Sequence, residues 1–125
     1  MLEITLGDLI DNLIILLNPY KFVSDMLKDL DENACVVTGN GSACVVSFQT
    51  ADLKPGQRLF TNSGDASMGY DVPAAIGACL ARGGAPVVCL AGDGSIMMNL
   101  QELQTIVGYN LPIKIIVLNN NGYLS

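Results

Sequence analysis

The stretch that decides the fold is Val87-Val88-Cys89-Leu90-Ala91-Gly92-Asp93-Gly94-Ser95. Val87–Ala91 is a continuous apolar run of strand length, the pattern of a strand buried on both faces. Gly92-Asp93-Gly94-Ser95 punctuates it. Ile96–Tyr109 follows as a predicted helix, with Leu100, Leu103, Ile106 and Val107 along one side. The next apolar run, Ile113–Leu118, has almost no polar break and ends in Asn119-Asn120-Asn121-Gly122. Strand, glycine-rich turn, helix and strand make a βαβ unit, which implies parallel pairing.

The alternation extends upstream. Ala34–Thr38 is short, apolar and β-rich, and Gly39-Asn40-Gly41 follows it. Ser42–Gln49 has helix length but also several β-branched residues. Arg58–Thr61 is a short strand, Asn62–Asp71 a loop carrying Gly64 and Gly69, and Val72–Arg82 an Ala-rich helix stopped by Gly83-Gly84. Tyr20–Leu30 is a helix with Val23, Met26, Leu27 and Leu30 as its stripe. Ahead of it, Leu9–Leu17 reads as a shorter amphipathic helix that ends before Asn18-Pro19. The expected class is α/β: a doubly wound parallel sheet in three α/β/α layers. Ligands of such sheets sit at the carboxyl ends of the strands. Clusters rich in Gly and Asn follow three of the four predicted strands at that end.

Composition removes several functions. The 125 residues fit one domain with a real core. Twelve acidic residues against six basic ones, a net charge of −6, argue against nucleic acid, whose affinity comes from Lys and Arg on phosphates. There is no histidine, hence no imidazole base and no His metal ligand. No apolar run reaches the roughly 18 residues of a membrane span. The best candidate, Leu9–Leu17, is interrupted by Asp11 and Asn12. The first twenty residues hold no Lys or Arg, so the basic front of a signal peptide is missing and a cytoplasmic location is expected. Cys35, Cys44, Cys79 and Cys89 form no CxxC pair and read as free thiols of a reducing compartment, not as a zinc site.

The turn clusters carry the chemistry. Gly94 lets a ligand approach the backbone closely, and the N–H groups opening the next helix favour a phosphate. Asp93 beside that phosphate would repel it unless a cation lay between them. Mg²⁺ is the natural choice, because it takes one or two carboxylates plus phosphate oxygens. The same tetrapeptide also reads as a plain helix cap, and Asn119–Gly122 as an ordinary turn. Met68 alone reads as a core methionine.

Twenty-four residues separate Gly94 from Asn119. Gly-Asp-Gly, that interval and Asn-Asn together resemble the signature of thiamine diphosphate-dependent enzymes. Gly92 to Leu103 and Ser67 to Ala78 resemble the acetolactate synthase and 2-oxoacid decarboxylase group in particular. The resemblance runs from about residue 18 to 125, leaving residues 1–17 as an unmatched helical segment. It implies thiamine diphosphate and Mg²⁺ as cofactors. Asp93 would bind the metal through its carboxylate, Asn120 through its side-chain oxygen and Gly122 through its carbonyl. Gly94 and Ser95 would donate to the diphosphate, Ser95 through its N–H or its hydroxyl, with Asn40, Gly41 and Ser42 as a second contact. Gly39–Cys44 lacks the third glycine of a dinucleotide fingerprint. Met68 would wedge between the two rings and hold the cofactor bent. Backbone groups of Ala66, where the family often has Gly, and of Met68 would hold the pyrimidine edge.

The resemblance also says what to look for elsewhere. The family's activating glutamate lies in a separate pyrimidine-binding domain, usually on a neighbouring subunit, so no catalytic residue is assigned here. Glu102 reads as a structural or solvated helix residue. The family sheet has six strands and this chain about four, so a partial diphosphate domain is expected, inactive alone; the resemblance implies a pyrimidine-binding domain from another chain or from the missing part, and a complete enzyme that is a homo-oligomer acting on a 2-oxoacid. The alternatives are a non-catalytic interaction module, or the diphosphate subunit of a two-chain 2-oxoacid decarboxylase.

Overall fold

The structure is a computed structural model and describes residues 17–122. The predicted helix at Leu9–Leu17 lies outside the described residues, apart from Leu17 itself. Among those described, helices and strands alternate: α1 (Pro19–Asp29), β1 (Cys35–Thr38), α2 (Gly41–Thr50), β2 (Arg58–Phe60), α3 (Asp71–Ala81), β3 (Val87–Gly92), α4 (Asp93–Ile96), α5 (Glu102–Gly108) and β4 (Ile113–Leu118). The four strands form one all-parallel sheet in the order β2-β1-β3-β4.

The sheet is doubly wound because its two faces are both apolar. Along β1 and β3, Cys35, Val37, Val87 and Cys89 pack with Val72, Ala75, Ile76 and Cys79 of α3. Val36, Val88 and Leu90 pack on the other face with Val23 and Leu27 of α1 and Ala43 and Val46 of α2. Side chains alternate across a strand, so a near-continuous apolar run feeds both layers. The α/β/α expectation is met in the described residues.

Local signals place the elements well. Asn18 Oδ1 accepts the N–H groups of Tyr20 and Lys21, and Pro19 starts α1 where its missing N–H costs nothing. The ambiguous segment after β1 is a helix, α2. One expectation changes. The helix predicted over Ile96–Tyr109 is broken into α4, a 3-10 turn (Met97–Asn99) and α5. It tightens where Asn99 Nδ2 reaches across to donate to Gly69 O at 2.6 Å. Apolar β4 is only partly buried, because among the described residues it pairs with β3 alone and forms an edge of the sheet.

All four cysteines are free, three of them buried. Burial pushes the Cys89 thiol up to about 12, helped by the charge of Asp71. The fold therefore favours the neutral thiol. That contribution is complete below the thiol's ordinary value of 9.0 and is lost as pH rises through about 12. Between them the slope is up to about 1.4 kcal/mol per pH unit. Urea midpoints for wild type and Cys89→Ala from pH 7 to 10.5 should diverge above pH 9, wild type losing about 2 kcal/mol more by the upper limit. Parallel pH profiles would contradict this.

Candidate functional site

The strand order reverses at one place. The chain leaves β1 for β2 on one side and reaches β3 on the other, so the crevice between the carboxyl ends of β1 and β3 is the topological switch point. Register then sets the neighbours. Thr38 lies opposite Leu90, and Gly39 N–H donates to Leu90 O at 2.8 Å, which puts Gly39–Gly41 beside the end of β3. Gly92 lies opposite Leu118, which puts Asp93 beside the turn after β4.

A cavity of about 220 Å³ opens there. Asn40, Gly41, Ser42, Met68, Asp93, Gly94, Ser95, Asn120 and Gly122 all line it, together with Gly92 and Leu118. Of the ten residues singled out from the sequence, only Ala66 does not. It sits on the same loop as Met68, its N–H bonded to Asn62 O at 2.9 Å. Its backbone is left-handed, with φ 50°, which costs an alanine about 1–2 kcal/mol and suits a glycine. That is a physical reason for glycine to be common at this position. Met68 is 37% exposed at the cavity wall, so the core-methionine alternative fails.

Asp93 is not a helix cap. Gly92 holds the cap position of α4 and supplies no side-chain cap bond. The Asp93 carboxylate instead accepts Gly122 N–H across the cavity at 2.8 Å, tying the β3–α4 turn to the loop after β4. Asn119 behaves as a turn residue, its Oδ1 accepting Asn121 N–H at 2.8 Å. Asn40 likewise leaves the start of α2 without a side-chain cap, and Gly41 enters that helix at φ 59°. Two uncapped helix starts thus border one cavity.

Ser95 contributes differently from the expectation that allowed its hydroxyl as a diphosphate donor. Its side chain is turned inward. Oγ donates to Asp71 Oδ2 at 2.5 Å and accepts Gly69 N–H at 2.9 Å. The hydroxyl proton is committed, leaving the backbone N–H for a ligand. Asp71 is the residue that the sequence reading passed over. Its signal was a single carboxylate at the head of the apolar run Val72–Ala81. Glu102 opens α5 and accepts Thr105 Oγ1 at 2.9 Å, in line with a structural role.

No cluster of three or more His, Cys, Asp or Glu among the described residues would hold a metal alone. The donor set at the cavity is one carboxylate, one amide side chain and backbone. A larger cavity, about 620 Å³, lies at the amino end of the strands. There Arg82 is spent on the carbonyls of Asn33 (2.6 Å) and Pro86 (2.7 Å), a structural arrangement. No helix among the described residues is long and apolar enough to cross a membrane.

Known proteins agree with this geometry. The family described as thiamine pyrophosphate enzyme, C-terminal TPP binding domain, matches residues 39–125. Among curated relatives, acetolactate synthase isozyme 1 large subunit of Escherichia coli (strain K12) is 38% identical over 85% of this chain and 19% of its own length. Isozyme 2 large subunit of the same organism is 43% identical over 76% of this chain and 18% of its own. The chloroplastic acetolactate synthase of Arabidopsis thaliana is 40% identical over 82% and 15%. The chain thus spans under a fifth of the length of these relatives. With the family match over most of its length, and a parallel sheet carrying that family's turns around one cavity, the chain belongs to the thiamine pyrophosphate enzymes, as their C-terminal TPP-binding domain.

Proposed function

We propose that this cavity binds the diphosphate of thiamine diphosphate through Mg²⁺, in a protein that acts on 2-oxoacids in the manner of acetolactate synthase. The observation that carries the metal is the charge of the cavity wall. Among the described residues, Asp93 is the one charged side chain lining it, and it is negative. A diphosphate there meets a carboxylate and no Lys or Arg. A divalent cation between them turns that repulsion into attraction, and hard oxygen donors suit Mg²⁺.

The residues present fit such a group. Asp93, Asn120 and the Gly122 carbonyl would hold the metal. The N–H groups of Gly94, Ser95, Gly41 and Ser42 would face the phosphate oxygens from the two uncapped helix starts. Met68 would support the rings on the opposite wall. When bound, the cofactor supplies the carbanion chemistry that decarboxylates or joins 2-oxoacids, and the protein supplies binding and orientation. This chain's own work is to anchor the charged tail, so that the reactive end is presented to a pyrimidine-binding domain and its glutamate. A homo-oligomer is expected, with that domain contributed by another part of the protein or by a neighbouring subunit.

Calorimetric titration of thiamine diphosphate into the intact protein tests this. Binding with Mg²⁺ that disappears in EDTA is expected. Binding of equal strength in EDTA would remove the metal from the reading.

A further inference from the structure

We infer that Asp71 is a positioning residue for this site: its buried carboxylate, acting through the Ser95 hydroxyl, locks the loop carrying Met68 to the helix start carrying Gly94 and Ser95. Asp71 is wholly buried at the start of α3 and does not line the cavity. Its Oδ1 accepts Val72 N–H at 2.9 Å, and its Oδ2 accepts Ser95 Oγ at 2.5 Å. Ser95 Oγ in turn accepts Gly69 N–H, the amide next to Met68. Ser95 is itself only 3% exposed, so water does not compete for these bonds.

Three segments of the site meet at this carboxylate. The third is the end of β1, where a Cβ added at Gly39 would collide with Asp71 Oδ2. Gly39 leads directly to Asn40 and Gly41 at the cavity. On the far side, Gly69 is fixed again by Asn99, and its φ of 79° and the closeness of Met98 and Asn99 leave no room for a side chain.

A carboxylate at position 71 suits both of its contacts. Both partners, the Val72 amide and the Ser95 hydroxyl, are donors at these contacts. A carboxylate accepts at both oxygens, whereas the carboxamide of asparagine, of the same shape, accepts at one and donates at the other. Asp71→Asn therefore either sets its NH₂ against the Val72 N–H or turns Ser95 Oγ into an acceptor at this contact, which takes away the acceptor of its hydroxyl proton. The register of the Met68 loop against α4 should loosen while the sheet stays intact.

This inference rests on the thiamine diphosphate reading of the cavity, and its test separates the two. Asp71→Asn, Ser95→Ala and the double variant are compared with wild type for binding of Mg²⁺–thiamine diphosphate and of Mg²⁺–pyrophosphate. Pyrophosphate reports the anion site alone. Thiamine diphosphate also needs the Met68 wall in register. Each single variant should lose about 10-fold more affinity for the cofactor than for pyrophosphate, the scale of losing an outer partner of a binding group. The double variant should lose little more than either single one. Hydrogen exchange at the Gly69 amide should speed up in all three. Equal losses for both ligands, additive variants or an unchanged Gly69 amide would overturn the role of Asp71 and leave the site reading standing. A folded wild-type protein that binds neither ligand overturns both.

Discussion

Asp93→Ala is expected to weaken Mg²⁺-dependent binding of thiamine diphosphate at least about 100-fold, or about 2.7 kcal/mol. The substitution does two things at once. It removes the one charged side chain among the described residues lining the cavity. It also frees Gly122 N–H, whose 2.8 Å bond to Asp93 ties the turn after β4 to the turn after β3. On the proposed reading the metal would therefore lose its carboxylate and the firm placement of the Gly122 carbonyl. The two contributions differ in sign once the metal is gone. In EDTA a lone carboxylate only repels a diphosphate, so the variant should then bind as well as wild type or better. Asp93→Asn keeps an oxygen and should fall between them. The measurement is a pair of calorimetric titrations, with Mg²⁺ and with EDTA. Unchanged binding by Asp93→Ala in Mg²⁺ would refute the metal assignment.

Leu90→Ala should cost about 3–4 kcal/mol of folding stability, read as a lower urea midpoint with little change in slope. Leu90 is 0% exposed on β3, which has a strand on each side. It belongs to the core cluster on the α1 and α2 face of the sheet, with Val23, Leu27, Val36, Ala43 and Val46. Parallel β-strands and two helices cannot collapse into the space left behind, so a cavity term adds to the lost transfer energy. A domain is stable by about 5–15 kcal/mol in total, so this change alone takes a large share. The damage should reach the site, because the Leu90 carbonyl holds Gly39 N–H beside the cavity. Val107→Ala is the control. Val107 is an exposed residue of α5, and its truncation should stay within about 0.5 kcal/mol. A loss below about 1 kcal/mol for Leu90→Ala would contradict the placement of the core.

The residues that were legible in the sequence share one property: their signal is local. Ile113–Leu118 is a strand with the expected bounds, because five apolar residues, four of them β-branched and interrupted only by Lys114, have few alternatives between Pro112 and Asn119. The turns Gly39–Gly41, Gly92–Ser95 and Asn119–Gly122 were readable for the same reason. So were the residues of the cavity, nine of which line it. Ala66 lies on the same loop as Met68 but outside the cavity lining, and loop geometry carries no periodic signal that would have shown this. Asp71 was missed because a carboxylate opening a helix looks like an ordinary first-turn acid. Only its burial against Ser95 and Gly39 gives it another meaning.

The sequence by itself determined which segments are strands and helices, that the strands run parallel, and which turns gather around the cavity. Hydrophobic period and turn composition are written within a few residues of each other, and the matched motifs span one βαβ unit. Tertiary structure alone decided that β1 lies between β2 and β3, and so where the crevice opens. It also decided that Asp93 faces Gly122 instead of capping α4, that Ser95 turns its hydroxyl inward to Asp71, and that the helix after Ser95 breaks at Asn99. Each of these depends on which residues, 24 to 30 positions apart, meet across the sheet edge, and a hydrogen bond selects its partner only once packing has brought the two groups within reach.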